Sequence, residues 1–384
     1  MPTRPPLHHP SRIATLRTEM ADEGLDGLVL TRRGSIAYVA GVWAPWRSAV
    51  VVPAEGDVRL LTSKNDVERV RAETWIETTD SWTRSRERPF PNAVADGLAD
   101  AGLADGRVGV EMGTADDVGV LTAHEYQAVD ARHDRVDLVD ATGLVNDAMM
   151  VKTRAEIERL RRANEICDVG IDAAVDALEP GISEIELAGE IERAQRRAGS
   201  EYNWSITRTE VGSGHKQARP NGFTPEPTTK RVQRGDLVTL DVHAVYDGYF
   251  GDLVANAVVG EPTADQLALE RDFRSVAEVL LDAIEPGAEI GGAVDRVDDA
   301  MAATDQDHEW VSYYGHGLGT SARCGPTLVP DAEATIPPNT TLVAHAYVCH
   351  PGVGGMRLEM PVLVGEERTE RLSAVPLDLI RVPV

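Results

Sequence analysis

Lysine, cysteine and long apolar segments are all scarce in this chain of 384 residues. Only three cysteines occur, and so small and odd a number favours free thiols in a reducing cytoplasm over a disulfide framework. No apolar run reaches the roughly 18–20 residues that a membrane-spanning helix needs. Residues 1–10 contain no apolar signal core, so we also expect no secretory leader and a cytoplasmic location.

Positive charge is scarce as well, and it comes almost entirely from arginine. Acidic residues outnumber basic ones by 63 to 38, which gives a formal net charge of −25. Nucleic acids and anionic membranes repel so acidic a chain, so we expect neither as a partner. The only lysines are Lys64, Lys152, Lys216 and Lys230. Abundant carboxylates with few lysines suit molar salt, where ions screen self-repulsion, and this indicates a salt-adapted, halophilic cytoplasm.

The length and the order of the sequence patterns predict two domains. Over residues 1–148, apolar runs typical of strands alternate with short helical patterns, which predicts a small α/β domain. Its first helix is expected over residues 11–23, capped by Ser11 and ended by Gly24. We find no chemical constellation in this domain. Residues 149–384 form the second predicted domain, which carries every candidate site residue.

The second domain contains an internal echo. Residues 177–181 (ALEPG) resemble residues 283–287 (AIEPG), and each segment lies between two helical patterns that β-rich sequence follows. In the first copy, capping boxes at Thr153 and Ser183 predict where the two helices begin. A duplicated helix-plus-sheet unit predicts a pocket between its halves, with ligands from both. A chance echo of five residues is the alternative.

Residues 236–260 form the stretch around which the candidate site is organised. It has the pattern of a hairpin with Asp247 and Gly248 at the tip, a dipeptide that supplies the positive-φ positions of a tight turn. Folding the hairpin brings Asp241 close to Asp252. Facing carboxylates on rigid strands are unfavourable unless protons or cations neutralise them, and hard divalent cations take oxygen ligands. The alternative is two solvated surface acids, which are common in so acidic a chain.

Three further segments supply candidate ligands. His316 lies among glycines, which indicates that the backbone approaches something closely there. His345 lies in an apolar strand, and Arg357 shares one face of another strand with Glu359. Each has an ordinary alternative, either a hydrogen-bonded core histidine or a surface ion pair. Taken together, two aspartates, two histidines and a glutamate could bind one or two divalent ions, with Asp252 and Glu359 as bridges.

These motifs resemble those of the M24 "pita-bread" metallopeptidases, in the creatinase, aminopeptidase P and prolidase group. The matching segments span nearly the whole chain: LDGLVLT, SIAYVAGV, VKTRAEIERLRRANEI, DVHAVYDGYFGD, GHGLG and GGMRLE. The resemblance implies a creatinase-type α/β N-terminal domain and an α+β pita-bread domain with an internal pseudo-twofold repeat. It also implies a homodimer that acts on a small peptide or small amide.

The resemblance carries over a metal set of Asp241, Asp252, His316, His345 and Glu359. One ion position would be all carboxylate, formed by Asp241, Asp252 and Glu359. The other would combine nitrogen and oxygen ligands, which suits Mn, Co, Zn or Fe: Asp252, His316, His345 and Glu359. Metal-activated water would then attack an amide bond next to proline, with Glu359 and His345 as the catalytic residues.

The chain departs from the family pattern at positions that handle the substrate. His345 stands where the peptidases have a glutamate that binds metal and helps to activate water. Asn221 and Arg323 stand where they have histidines, and residues 254–255 (Val-Ala) replace a Thr-Arg pair. We assign Asn221, Arg323 and Arg357 as substrate-binding residues, with Arg357 also orienting the final glutamate. Each lost histidine would lower the rate by roughly a hundredfold or more.

These residues are therefore consistent with three functions. The favoured one is a metal-dependent hydrolase resembling Xaa-Pro dipeptidases and aminopeptidases. The alternatives are a creatinase-like or lyase-type enzyme with altered chemistry on the same fold, and a non-catalytic binding protein. Metal analysis separates metal binders from non-binders, and turnover of an Xaa-Pro dipeptide with added Mn or Co separates the peptidase from the other two.

Overall fold

In a computed structural model of the chain, the described residues are 7, 9–113, 119–201, 209–218, 226–304 and 313–384. They divide into two compact units, Met1–Met150 and Val151–Val384. Asn221, which was assigned to substrate binding, lies outside the described residues. Among the helices that are described, none combines the length and the apolar character needed to cross a membrane.

The first unit is built on a six-stranded mixed sheet. Its strands are β1 Gly27–Leu30, β2 Ala49–Pro53, β3 Arg59–Ser63, β4 Thr78–Trp82, β5 Arg107–Val110 and β6 Asp137–Asp140. They lie in the order β4-β3-β2-β1-β5-β6, with β1 antiparallel to β2 and parallel to β5. All residues of β1 and β2 are buried, which explains their continuous apolar sequence.

The helices of the first unit are α1 His9–Asp22, α2 Arg33–Ala40, α3 Val67–Glu73, α4 Phe90–Asp100, α5 Ala123–Asp130 and α6 Thr142–Met150. The helix expected over residues 11–23 is α1, and it buries the apolar face formed by Ile13, Leu16 and Met20. The expected cap at Ser11 is wrong, because the helix begins at His9 and Ser11 lies within its first turn. Helix α2 was not expected from the sequence. Every residue of α2 after Arg33 is buried, so its sequence lacks the one-sided periodicity that would have indicated a helix.

The second unit contains the same succession of two helices and three strands twice. The first copy is α7 Arg154–Ala177, α8 Glu184–Ala198, β7 Thr209–Ser213, β8 Leu237–Tyr246 and β9 Tyr249–Val259. The second copy is α9 Ala264–Ala283, α10 Ile290–Ala302, β10 Gly315–Gly317, β12 Thr340–His350 and β13 Gly354–Val364. Three further short strands lie within the described part of this unit: β11 Cys324–Thr327, β14 Thr369–Arg371 and β15 Ile380–Val382. The expected fold class, including the internal repeat, is confirmed.

The two copies begin in the same way. Thr153 caps α7 and Thr263 caps α9, and each side chain accepts a hydrogen bond from the backbone N–H three residues later. Both long helices then end before the Pro-Gly segments that matched in the sequence, where Gly181 and Gly287 have φ of 101° and 80°. Only glycine adopts these backbone angles readily, so the echoed residues mark the same turn in each copy.

The strands of the second unit form two sheets, in the orders β15-β9-β8-β7 and β11-β10-β12-β13-β14. Strands β8 and β9 form the expected hairpin, in which Tyr246 pairs with Tyr249. Asp247 and Gly248 occupy its tip with φ of 52° and 78°. Two positive φ values at a two-residue tip are the requirement of this tight turn, so the predicted hairpin is confirmed.

Two contacts fix β9, the strand that carries Asp252. A Cβ atom at Gly251 would lie 2.6 Å from the backbone oxygen of Ala163, so α7 approaches β9 too closely for any other residue. From the same helix, Asn164 Oδ1 accepts a hydrogen bond of 3.1 Å from the backbone N–H of Asp252. Helix α7 therefore sets the position of the backbone that bears this carboxylate.

A third contact joins the two sheets. The side chain of Asn256, on β9, donates to the backbone oxygen of Arg357 at 2.8 Å and accepts from its N–H at 3.0 Å. Behind the strands, one apolar core includes buried side chains from both copies, such as Leu240 and Val276. Full burial of an aliphatic side chain contributes about 1.5–3 kcal/mol. This shared core holds the two sheets together as one rigid support.

Candidate metal centre

Neighbouring strands bring the predicted ligands together in the interior of the second unit. In the hairpin, Asp241 lies two residues from the position opposite Asp252, so the two carboxylates share a face. On the other sheet, His345 lies directly opposite Glu359. His316 completes the set from β10. All five side chains are buried, with exposed fractions of 3% or less.

The distances within this cluster are short. Asp241, Asp252 and Glu359 each place a carboxylate oxygen within 4.8 Å of the others. His316 Nε2 lies 3.7 Å from Asp252 Oδ2, and His345 Nε2 lies 3.3 Å from Glu359 Oε1. The structure therefore brings the five residues into one site with ligands from both copies of the repeat.

The glycines around His316 are required by close packing. A Cβ atom at Gly317 would lie 2.0 Å from the backbone oxygen of Gly325, on strand β11. At Gly315 it would lie 2.5 Å from the backbone oxygen of Val343, on β12. Strand β10 is thus held between two close neighbours, and this fixes the imidazole of His316 beside Asp252.

Arg357 is the cation of this site. Its Nη1 lies 3.0 Å from Asp241 Oδ2 and 3.6 Å from Glu210 Oε2, and its Nη2 donates to Glu359 Oε1. The side chain is 3% exposed, so these interactions take place in a low-dielectric interior. The contact with Glu359 that was assigned from the sequence is present, and the contacts with Asp241 and Glu210 were not anticipated.

Three atoms of the cluster lack hydrogen-bond partners. Asp241 Oδ1, Asp252 Oδ1 and His316 Nε2 are buried, and none of them takes part in a hydrogen bond. Buried polar atoms are nearly always hydrogen-bonded, so these three require an explanation. They belong to residue types that bind divalent ions, and the carboxylates are within a few ångströms of each other. The residues therefore fit one or more divalent cations.

The carboxyl pKa values reflect the crowding of like charge. Burial, together with the neighbouring Glu359 and Asp241, raises the pKa of Asp252 well above its usual range. Burial and Glu359 also raise the pKa of Asp241, although Arg357 partly offsets them. For Glu359, burial opposes ionisation, but the positive charge of Arg357 holds its pKa well below the usual range. Of the two aspartates, Asp252, one of the two predicted bridges, has the pKa that is raised further.

Both predicted histidine ligands are neutral at pH 7. Burial lowers the pKa of His316 to about 4, with Glu359 acting in the opposite direction. Burial likewise lowers the pKa of His345 well below its usual value. A neutral imidazole has the lone pair that binds a metal ion, so both rings are in the form that coordination requires.

One residue of the cluster was missed in the sequence. His243 directs Nδ1 towards Asp241 Oδ1 at 3.7 Å and Nε2 towards Asp252 Oδ1 at 3.4 Å. Its side chain is 15% exposed. The available signal was its position two residues after Asp241, because alternate residues of a strand share a face.

Arg323 lies at the edge of the cluster. Its guanidinium carbon is 5.6 Å from the ring centroid of Tyr313. The Tyr313 ring in turn lies 5.2 Å from the ring of His345 and 6.2 Å from that of His316. The positive charge of Arg323 contributes to the lowered pKa of both histidines. Tyr313 therefore places a second cation next to the predicted metal ligands.

Comparison with known proteins identifies the family. Residues 158–366 match the model of metallopeptidase family M24, and residues 12–151 match that of the creatinase/prolidase N-terminal domain. A Xaa-Pro dipeptidase of Pyrococcus furiosus is 28% identical over 244 residues, which are 62% of this chain and 67% of that protein. A probable dipeptidase PepE of Mycobacterium tuberculosis is 27% identical over 383 residues, covering 97% of this chain and 96% of the relative.

The solved structures agree with the fold. A Xaa-Pro dipeptidase from Bacillus anthracis superposes with a TM-score of 0.83 at 24% identity, over 97% of this chain and 100% of that one. The M24 model covers more than half of the chain, and it includes each of the five predicted metal ligands. The resemblance found in the sequence motifs is confirmed: the chain belongs to metallopeptidase family M24.

Proposed function

We propose that this enzyme is a metal-dependent peptidase that cleaves Xaa-Pro dipeptides or similarly small peptides. One observation carries the proposal: unpartnered, buried ligand atoms from both copies of the repeat converge on one site. The names of the relatives, several of which are Xaa-Pro dipeptidases, support the substrate class. Neither the creatinase-like nor the non-catalytic alternative is favoured by these comparisons.

The five clustered residues would hold one or two ions: Asp241, Asp252, His316, His345 and Glu359. When bound, divalent ions polarise the scissile carbonyl and lower the pKa of a water molecule. Arg357 keeps Glu359 ionised. It also holds Oδ2 of Asp241, so that Oδ1 of the same carboxylate is left for the site. Arg357 is therefore proposed as a positioning residue in place of the substrate-binding role assigned from the sequence, because its guanidinium already faces three carboxylates. Glu359 and His345 are the proposed catalytic residues.

The identity of the ions follows from the ligand types. Carboxylates suit Mn, while imidazoles favour Zn, Fe and Co, so a site with His316 and His345 selects among these four metals. We expect the imidazole-containing position to prefer Zn, Fe or Co. Replacement of the family's glutamate by His345 also removes one negative charge, which weakens binding of hard cations.

Arg323 is proposed to bind the carboxylate of the dipeptide substrate. A guanidinium forms two parallel hydrogen bonds with a carboxylate, and its stacking near Tyr313 limits its motion beside the ligands. Asn221 is proposed as an additional substrate contact. We expect Arg323→Ala to raise KM for an Xaa-Pro dipeptide about tenfold or more, with Arg323→Lys intermediate. An unchanged KM in both variants would contradict this role.

The cellular setting is proposed from composition and family resemblance. We propose a salt-adapted cytoplasm, because acidic residues outnumber basic ones by 63 to 38 and lysine is rare. The homodimer is proposed from the family resemblance alone. Screening by salt reduces the mutual repulsion of these carboxylates. Dialysis from molar salt into low salt should lower the melting temperature, and unchanged stability would count against salt adaptation. Sedimentation at high salt tests the dimer.

The direct test is hydrolysis of an Xaa-Pro dipeptide after metal removal and reconstitution. Purified enzyme is stripped with a chelator and supplied separately with Mn, Co, Zn or Fe(II), and released proline is measured. We expect activity to return with at least one metal and to be absent in Asp252→Asn. Hydrolysis of creatine instead would support the creatinase-like alternative. Metal binding with no turnover of either substrate would support a binding protein.

A further inference from the structure

We propose that His243 is a metal ligand and that it gives the Asp241 side of the centre a nitrogen donor. The sequence motifs implied only carboxylates at that position. The inference rests on the proposed metal centre, and it adds a residue that changes which ions the centre prefers. Its basis is the placement of one imidazole between two carboxylate oxygens.

Strand pairing fixes this placement. His243 lies directly opposite Asp252 in the antiparallel hairpin, and it is two residues from Asp241 on the same strand. All three side chains therefore project from one face of the sheet. Because the hairpin is closed by a tight two-residue turn, the register cannot slip without turning this whole set to the other face.

Both separations are longer than direct hydrogen bonds, and the shorter one fits two ligands of one ion. His243 Nε2 is 3.4 Å from Asp252 Oδ1, and Nδ1 is 3.7 Å from Asp241 Oδ1. A hydrogen bond between such atoms spans about 2.7–3.2 Å. An imidazole binds an ion through one nitrogen, so only the separation from Nε2 to Asp252 Oδ1 is a spacing between two ligands, and ligands bonded at about 2.1 Å in tetrahedral geometry lie roughly 3.4 Å apart. One ligand atom each from His243, Asp241, Asp252 and Glu359 lie within 4.8 Å of one another. The two oxygens concerned are the same two that make no hydrogen bond.

The carboxylate of Asp252 presents one oxygen to each side of the centre. Its Oδ2 faces His316 at 3.7 Å, and its Oδ1 faces His243 at 3.4 Å. A bridging carboxylate places one oxygen on each of two ions. His243 would therefore be the nitrogen ligand of the ion on the Asp241 side, as His316 would be for the other ion. The centre that results has an imidazole at each position.

A nitrogen donor at this position changes metal preference. All-carboxylate sites suit Mn and other hard cations, whereas imidazole shifts preference towards Zn, Fe and Co. The alternative is that His243, when protonated, merely forms an ion pair with the two aspartates. That alternative requires no ion and predicts that metal binding is unaffected, or strengthened, when the imidazole is removed.

The test compares zinc and manganese binding by equilibrium dialysis in wild type, His243→Ala and His243→Asn. His124→Ala serves as the control, because His124 is exposed on α5 in the first unit. We expect the metal position on the Asp241 side to bind zinc about 10–100-fold more weakly in both His243 variants than in wild type, with a smaller loss of affinity for manganese. Zinc affinity equal to that of the control would overturn the inference.

A second measurement uses the unaltered protein, so it does not depend on how the variants fold. In zinc-loaded enzyme with 15N-labelled histidine, we expect three imidazoles with one metal-bound nitrogen each, namely His243, His316 and His345. A His243 signal, assigned by its absence from the His243→Ala spectrum, that shows no metal-bound nitrogen would overturn the role of His243 and leave the proposed function standing. If wild type binds no divalent ion in dialysis, both proposals fail.

Discussion

The two copies of the repeat have the same scaffold but contribute different charges to the site. Strands β7–β9 of the first copy supply three buried acids, Glu210, Asp241 and Asp252. Strands β10, β12 and β13 of the second copy supply two neutral imidazoles, one acid and the buried cation Arg357. The first copy is therefore called the acidic half, because it supplies three of these four buried carboxylates. The second copy supplies the arginine that offsets part of their negative charge.

The matching strands of the two copies position the side chains of the site, while the residues that differ between the copies set its charge. Arg357, from the second copy, reaches two acids of the first, Asp241 and Glu210. One guanidinium does not balance four carboxylates, and after burial this excess of negative charge is the main cause of the raised pKa of Asp252. The remaining imbalance can be removed by protons or by metal ions.

The largest effect is expected from neutralising the acidic half at Asp252→Asn. Loss of the shared carboxylate should abolish tight binding of divalent ions and lower kcat/KM by about a thousandfold or more. Stability of the metal-free protein should be unchanged or higher, because repulsion from Glu359 and Asp241 is relieved. Urea unfolding and metal analysis of the same sample measure both quantities. Retained metal binding would contradict the bridging role.

Removing the compensating charge of the second half should destabilise the fold. In Arg357→Met, three carboxylates lose a buried partner, and we expect the free energy of unfolding to fall by about 3–5 kcal/mol. The double variant Arg357→Met/Asp241→Asn should recover part of this loss, since it also removes one unpaired charge. Urea unfolding of the metal-free proteins measures the cycle. Additive losses would mean that the two side chains are not coupled.

The neutral histidines of the second half predict a pH dependence. Folding lowers the pKa of His316 from 6.5 to about 4, so the unfolded chain binds more protons between these values. The metal-free protein should therefore lose stability as pH falls from 6.5 to 4, by up to about 3 kcal/mol from this residue. His316→Asn should lose less over the same range. Parallel curves for the variant and wild type would contradict the assignment.

The smallest effect is expected from making the second half more acidic. His345→Glu restores the carboxylate that the family resemblance implies at this position. A fourth carboxylate ligand favours hard cations, so we expect manganese affinity and manganese-supported hydrolysis to rise about tenfold. The control is His350→Glu, at an exposed position on the same strand. A fall in manganese affinity would indicate that the site cannot accept another negative charge.

Much of the site could be anticipated because its signals are local. The Asp247-Gly248 tip defines the hairpin, and the hairpin alone places Asp241 beside Asp252. His316 was suggested by its glycines, which the close approach of neighbouring strands does require. These features depend on residues that are near each other in the sequence, where periodicity and turn chemistry are informative.

What could not be anticipated depends on contacts between distant strands. The pairing of Arg357 with Asp241 joins β13 to β8, and no periodicity reveals which strands of two sheets face each other. Helix α2 was missed because burial on all sides removes the one-sided pattern. His243 was missed for a different reason. It lies between the two aspartates in the sequence, but the sequence does not show that its imidazole faces their unpartnered oxygens.

The most direct measurement is anomalous diffraction from crystals of the enzyme grown with zinc or manganese. We expect one or two peaks in the anomalous difference map, each about 2.0–2.2 Å from a carboxylate oxygen of Asp252 or Glu359. Those peaks should disappear in Asp252→Asn crystals grown in the same way. A map without density among these side chains, at metal concentrations that support hydrolysis, would contradict a metal centre built from both halves.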